Sequence, residues 1–255
     1  MAKIKSYTKT GRCIWCGRTS PEATFTTIPH ILPQSLGGDE IGVDICDDCN
    51  HYFGTAQPGK PNIDLVFKEI FNAYRFFSGN LTEESYKRFS SIFFTYRHKQ
   101  HKVTIKSSFR SQVITRQFKR SLYNVFLQKY HSLTGDGNNP KFQMIRNFAR
   151  HDIGEPRVYY AFNNIILSPS DKSHPNIPMN SRTIQDIDEY GACCFWCIGH
   201  CFYLEIRPVI FNVKGRKYLQ QEAESILLPA KGDEKIFEFT DIMEVDFFMQ
   251  RFGSK

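Results

Sequence analysis

The sequence predicts an α+β protein in three parts: a small cysteine-stapled unit at the N-terminus, a helical middle region and a mixed α+β C-terminal part. Three observations carry that expectation. Four cysteines fall as two C-x₂-C pairs, Cys13/Cys16 and Cys46/Cys49. Apolar residues then recur at helical spacing through residues 61–150, and past Pro156 the pattern turns to strand-like runs. At 255 residues the chain exceeds one average domain, and the expected divisions are 1–60, 61–150 and 151–255.

In the first part, short strands are predicted around 24–28 and 41–45, separated by a Gly37-Gly38 turn. A short helix should follow, with residues 46–50 in its first turn and Gly54 at its end. The prolines and glycine of 56–61 read as a linker. Beyond it, Ile63, Val66, Phe67, Ile70, Phe71, Tyr74 and Phe77 mark one helix, entered through Pro61. Thr82 is placed to cap a second, with Tyr86, Phe89, Ile92 and Phe93 on its apolar face. A third is expected over 111–130, broken by 135–140, and a fourth around Phe142, Ile145 and Phe148. Strands are expected at 158–167, 192–197, 201–207 and 236–239, the middle pair forming a hairpin.

Net charge is +7, but it is unevenly placed. Residues 61–150 hold 16 basic against 5 acidic residues, and 85–135 contain no Asp or Glu at all. Ordinary exposed helices mix both signs, so a one-signed stretch of this length predicts a polyanionic partner. Arg97, Lys99, Lys102, Lys106, Arg110, Arg116, Lys119 and Arg120 are its candidate phosphate contacts. Tyr96, His98 and His101 are placed to add stacking or further phosphate contacts. The acidic C-terminal part is a candidate surface for a protein partner. The polar, basic opening stretch lacks the apolar core of a signal peptide, and no run approaches the roughly 18 apolar residues of a membrane span. A cytoplasmic protein with no membrane association is expected.

In that reducing setting, paired cysteines read as metal ligands rather than disulfides. Four thiolates complete a tetrahedral Zn²⁺ shell, so Cys13, Cys16, Cys46 and Cys49 define a structural site with no open position. The second group, Cys193, Cys194, Cys197 and Cys201, lies among Phe195, Trp196, Phe202 and Tyr203 and is read as small buried apolar residues.

Between the knuckles stands Pro29-His30-Ile31-Leu32-Pro33-Gln34-Ser35-Leu36-Gly37-Gly38, and the second knuckle continues as Cys46-Asp47-Asp48-Cys49-Asn50-His51. This pattern resembles the HNH, or His-metal finger, endonucleases over roughly residues 10–65, and reaches Ile63-Asp64 if a following Ile-Asp pair is counted. The resemblance implies a ββα-metal finger around one catalytic Mg²⁺ or Mn²⁺ and hydrolysis of phosphodiesters, most readily of DNA, to 5′-phosphate and 3′-hydroxyl ends. It assigns His30 as general base and Asn50 as metal ligand. The chemistry is sound in its own right. An imidazole with a pKa of about 6.5 can deprotonate water at neutral pH. An amide oxygen at a helix start suits a hard divalent cation, which stabilises the leaving oxygen.

One position departs from the family. Pro29 stands where relatives place an acidic residue or histidine on the metal, and proline cannot ligate. Asp44, Asp48 and His51 are the candidates to complete the shell, with Asp44 also standing in for the family's mid-loop position. Asp47 is read as complementing the helix dipole. The departure also motivates a second reading, a zinc-dependent nucleic-acid-binding module without catalysis.

Overall fold

The computed structural model describes residues 9–77, 91–100, 102–162, 179–197, 199–225 and 235–245. The chain is mixed α+β, with a four-cysteine cluster, helices through the middle and an antiparallel sheet towards the C-terminus.

The cysteine unit is less regular than its sequence predicts. No strand forms over 24–28. Between the two knuckles the pairing is one residue pair long, His30 opposite Ile41, flanked by the bonds from Ile31 N to Glu40 O and from Gly42 N to Pro29 O, and a second single bridge joins Arg12 to Thr19 across the first knuckle. Pro29 and Pro33 lack the N–H groups a longer ladder needs. After one 3₁₀ turn, Gln34–Leu36, the chain reverses through Gly37 at φ +88°. Gly38 then passes so close to Leu32 that a Cβ would sit 2.4 Å from its carbonyl oxygen. Helix α1 (Asp47–Gly54) starts at Cys46, as expected.

Helix α2 (Ile63–Phe77) opens with Asn62 Oδ1 accepting from Leu65 N, which satisfies one of the free donors of its first turn. The helix predicted from Thr82 falls on residues outside the described ones, except at its end. There Ile92 and Phe93 are not helical but lead into a hairpin the sequence reading did not predict, β1 (Phe94–Arg97) and β2 (Lys102–Ile105). Helix α3 (Ser111–Thr134) is the axis of the molecule and is closed by Gly135 in the left-handed conformation. Helix α4 (Gln143–His151) follows and packs against it.

Strand β3 (Val158–Phe162), the hairpin of β4 (Ala192–Cys197) and β5 (His200–Glu205), and β6 (Phe237–Glu238) form one antiparallel sheet in the order β4-β5-β3-β6. Two helices were not foreseen. Helix α5 (Ser181–Glu189) buries only Ile187, and α6 (Pro208–Ser225) buries Phe211, Gly215 and Tyr218, a stripe too narrow to stand out as an apolar face. One hydrophobic core runs from Cys13 and Trp15 through α2 and α3 to Phe202 and Val245. Phe118 is its hinge point, in ring contact with Phe67, Phe71, Phe202 and Phe239.

Candidate active site and metal centre

The four sulfurs of Cys13, Cys16, Cys46 and Cys49 lie within 4.8 Å of one another, with Cys16 and Cys46 3.6 Å apart. A Zn²⁺ holding four thiolates at about 2.3 Å places them roughly 3.8 Å apart, so the donor set fits that ion in number, type and spacing. The sulfurs are shifted in opposite directions. Cys13 takes a hydrogen bond from Cys49 and drops to about 5. Burial and the neighbouring sulfurs push Cys46 up to about 11. Four adjacent thiolates are stable only beside a positive charge. Arg18, which the sequence reading passed over, supplies part of it: Nε donates to Cys16 Sγ at 3.3 Å while Nη2 pairs with Asp48 at 2.7 Å.

The same knuckle positions α1. Asp47 does more than face the helix dipole. Its carboxylate accepts from the hydroxyls of Thr24, Thr26 and Thr27 and from the backbone N–H groups of Thr26 and Thr27. These donors, Thr24 first, hold its pKa well below the usual carboxylate range. The segment predicted as a strand is therefore a loop wrapped on one carboxylate. Thr27 also accepts from Asn50 Nδ2 at 3.2 Å, which assigns the amide nitrogen and leaves Oδ1 as the end able to ligate a cation. Two residues beyond Thr27 begins the Pro29–Ile31 segment that carries His30. The imidazole is half-buried, and among the described residues no group hydrogen-bonds its buried Nδ1.

The remaining metal-ligand candidates are placed differently. His51 is exposed, with Nε2 3.3 Å from Thr55 Oγ1. Asp44 is only 4% exposed and sits at φ +56°. Its two oxygens accept from Thr10 N, Thr10 Oγ1 and Gly11 N and meet His131 Nε2 at 3.0 Å. Because Gly137 N donates to Nδ1 of His131, the ring's proton lies on Nε2 and points at Asp44. The pair fastens the finger to α3 across 87 residues of sequence, a separation no local pattern reveals. Beside it an apolar cavity of about 330 Å³ opens between Phe25, Ile28, Pro29 and Ile41.

The basic candidates divide into two groups. Arg97, Lys99, Lys102, Lys106 and Arg110 are exposed. Arg116, Lys119 and Arg120 are turned inward on α3. Arg120 is 1% exposed and donates to Ala149 O, Gln117 Oε1 and Tyr52 Oη. Arg116 binds Asp152, which also receives Lys60 and lies 3.8 Å from Arg120. Lys119 is buried, and burial lowers its pKa. Arg116 and Arg120 join α3 to the end of α4, and Arg120 also reaches the finger through Tyr52, while Lys119 lies 3.9 Å from Glu155. In the second cysteine group, Cys193 and Cys201 are buried in the sheet beside Phe195 and Tyr203, and burial pushes the Cys193 thiol above its usual range. Among the described residues the one metal-binding group is the four-cysteine cluster of the finger.

A zinc-compatible cluster, a Pro-His-Ile segment paired across a glycine turn and an Asn at the start of a helix now stand together in one short stretch. Residues 13–60 match the HNH endonuclease family. No curated protein and no solved structure matched the chain. The HNH segment thus contains all four cysteines, His30 and Asn50, and it ends where α2 is about to begin. HNH endonucleases are hydrolases of nucleic acid, which agrees in kind with the basic middle region. No helix among the described residues is long and apolar enough to cross a membrane.

Proposed function

We propose that this protein is a metal-dependent endonuclease that hydrolyses phosphodiester bonds, most readily of DNA, with its reacting centre between His30 and α1. The observation that carries the proposal is the Asp47–Thr27–Asn50 linkage. It fixes the Asn50 amide while leaving Oδ1 free to ligate, and its Thr27 lies three residues before the half-buried His30. His30 takes the proton from the attacking water. Asn50 Oδ1 ligates a Mg²⁺ or Mn²⁺, with His51 the next candidate to join it. When bound, that ion supplies electrostatic stabilisation of the phosphate and of the leaving 3′-oxygen. Asp44, already engaged by four donors, is left out of the ligand set. The zinc-bound thiolates act only by holding α1, and so Asn50, against the Thr24–Thr27 loop.

Pro29 supports a second reading, a zinc-dependent nucleic-acid-binding module that does not cut. It takes the place of a family metal ligand, and its carbonyl is spent on Gly42 N. A supercoiled-plasmid assay with Mg²⁺ or Mn²⁺ separates the two. The nuclease reading expects nicking by the wild type, with His30→Ala and Asn50→Ala folded, zinc-loaded, DNA-binding and inactive. A zinc-replete wild type that binds DNA and leaves it intact with either metal selects the binding module.

A further inference from the structure

The hairpin of β1 and β2 separates its residues onto two unlike faces. Its register pairs Phe94 with Ile105, Thr95 with Thr104, Tyr96 with Val103 and Arg97 with Lys102. Opposed residues share a face and alternate residues change face, so Phe94, Tyr96, Val103 and Ile105 form one side. That side is rooted in the body, with Phe94 buried against Phe109 and Lys106 Nζ donating to Ser91 O at 2.5 Å at the hairpin's base. The other side is Thr95, Arg97, Lys102 and Thr104, all four exposed.

Three features of that second side need explaining. Two cations stand directly across from one another, an arrangement that destabilises a ribbon in isolation. No acidic residue lies between 85 and 135 to relieve it, and neither Arg97 nor Lys102 makes an ion pair among the described residues. The face also carries hydroxyls but no aromatic ring, since Phe94 and Tyr96 both belong to the packed side. Single-stranded nucleic acid is held by stacking its bases on exposed rings. Duplex backbone is held by Arg, Lys and Thr on phosphate oxygens, and a two-stranded ribbon has the width of a major groove.

We infer that the Thr95–Arg97–Lys102–Thr104 face is a duplex-binding ribbon that holds phosphates of double-stranded nucleic acid. The inference rests on the nucleic-acid reading above and narrows its substrate to duplex. The test is fluorescence anisotropy of zinc-loaded full-length His30→Ala protein, which keeps the probe intact, with a labelled DNA duplex and with one of its strands alone, across a salt series. Adding Arg97→Gln and Lys102→Gln should weaken duplex binding and reduce the slope of log K against log salt by about 1.8, the value for two lost phosphate contacts. Lys214→Gln with Lys217→Gln, an equal charge change on exposed positions of α6, should leave the slope unchanged. An unchanged slope in the ribbon variant, an equal loss in the α6 variant, or single strand bound as tightly as duplex would each overturn the inference. Cleavage by protein with His30 intact is scored separately. Ribbon-dependent duplex binding without cutting removes the nuclease reading and leaves the ribbon standing.

Discussion

Thr27 links the two halves of the candidate centre: its hydroxyl donates to Asp47 and accepts from Asn50. Nothing about a threonine in a Thr-Phe-Thr-Thr run announces that role, because the partner carboxylate lies 20 residues away. His30 and Asn50 stand out in the sequence as candidates because the chemistry proposed for them is local to a motif. Thr27, Arg18 and His131 were not, because each acts through a neighbour the sequence brings close only after folding. Groups that orient a metal ligand typically affect metal affinity by about 10- to 100-fold when removed. Thr27→Val should therefore weaken Mn²⁺ binding and cleavage by about 10-fold or more while the zinc content stays at one per chain. Wild-type Mn²⁺ affinity in that variant would show that Asn50 needs no such support.

Among elements, the helices with wide apolar faces were readable, and α1, α2, α3 and α4 lie close to their expected positions. The β1–β2 hairpin was hidden because its basic and polar residues read as one undifferentiated charged run; only the cross-strand register separates them. Basic residues on α3 were misleading for a related reason. Composition counts a guanidinium without saying whether it faces water, and Arg116 and Arg120 face Asp152 at the left-handed cap of α4. Burial raises the Asp152 pKa, but Lys60 and Arg116 more than offset it, so it stays ionised below the usual carboxylate range. Asp152→Ala leaves the buried Arg120 and the half-buried Arg116 without their carboxylate, while the more exposed Lys60 turns to water, and should cost about 2 kcal/mol in urea unfolding. A loss of under about 0.5 kcal/mol would mean that water, rather than Asp152, compensates them.

For the molecule as a whole, the finger's Trp15, Ile45 and Phe53 share one core with the helices and the sheet. The cysteine spacing predicted the finger but could not predict that it is welded to the rest, since His131–Asp44 and Lys129–Glu40 join segments almost ninety residues apart. Loss of zinc should consequently destabilise the entire chain. Cys13→Ser is expected to lower the midpoint of one cooperative thermal transition; a finger melting separately, with the remainder unchanged, would contradict the shared core. Acid should act on the same core through His200, which sits among Phe71, Tyr160, Phe162 and Phe202 and is pushed down to about 3 by burial. With a folded pKa below the unfolded value of about 6.5, its contribution is intact above pH 6.5 and is lost as pH falls towards 3, by up to about 1.4 kcal/mol per pH unit. His200→Phe should flatten the stability profile between pH 6.5 and 4, and an unchanged slope there would exclude His200 as its source.

His30 and Asn50 are proposed to address one divalent ion beside a zinc-held helix. A crystal of the zinc-loaded protein soaked in Mn²⁺, with anomalous difference density collected for both metals, tests it directly. We expect a zinc peak within the four sulfurs and a separate manganese peak about 2.1 Å from Asn50 Oδ1 and within reach of the His30 imidazole. Manganese bound elsewhere, or His30 and Asn50 directed to opposite sides of the finger, would contradict it.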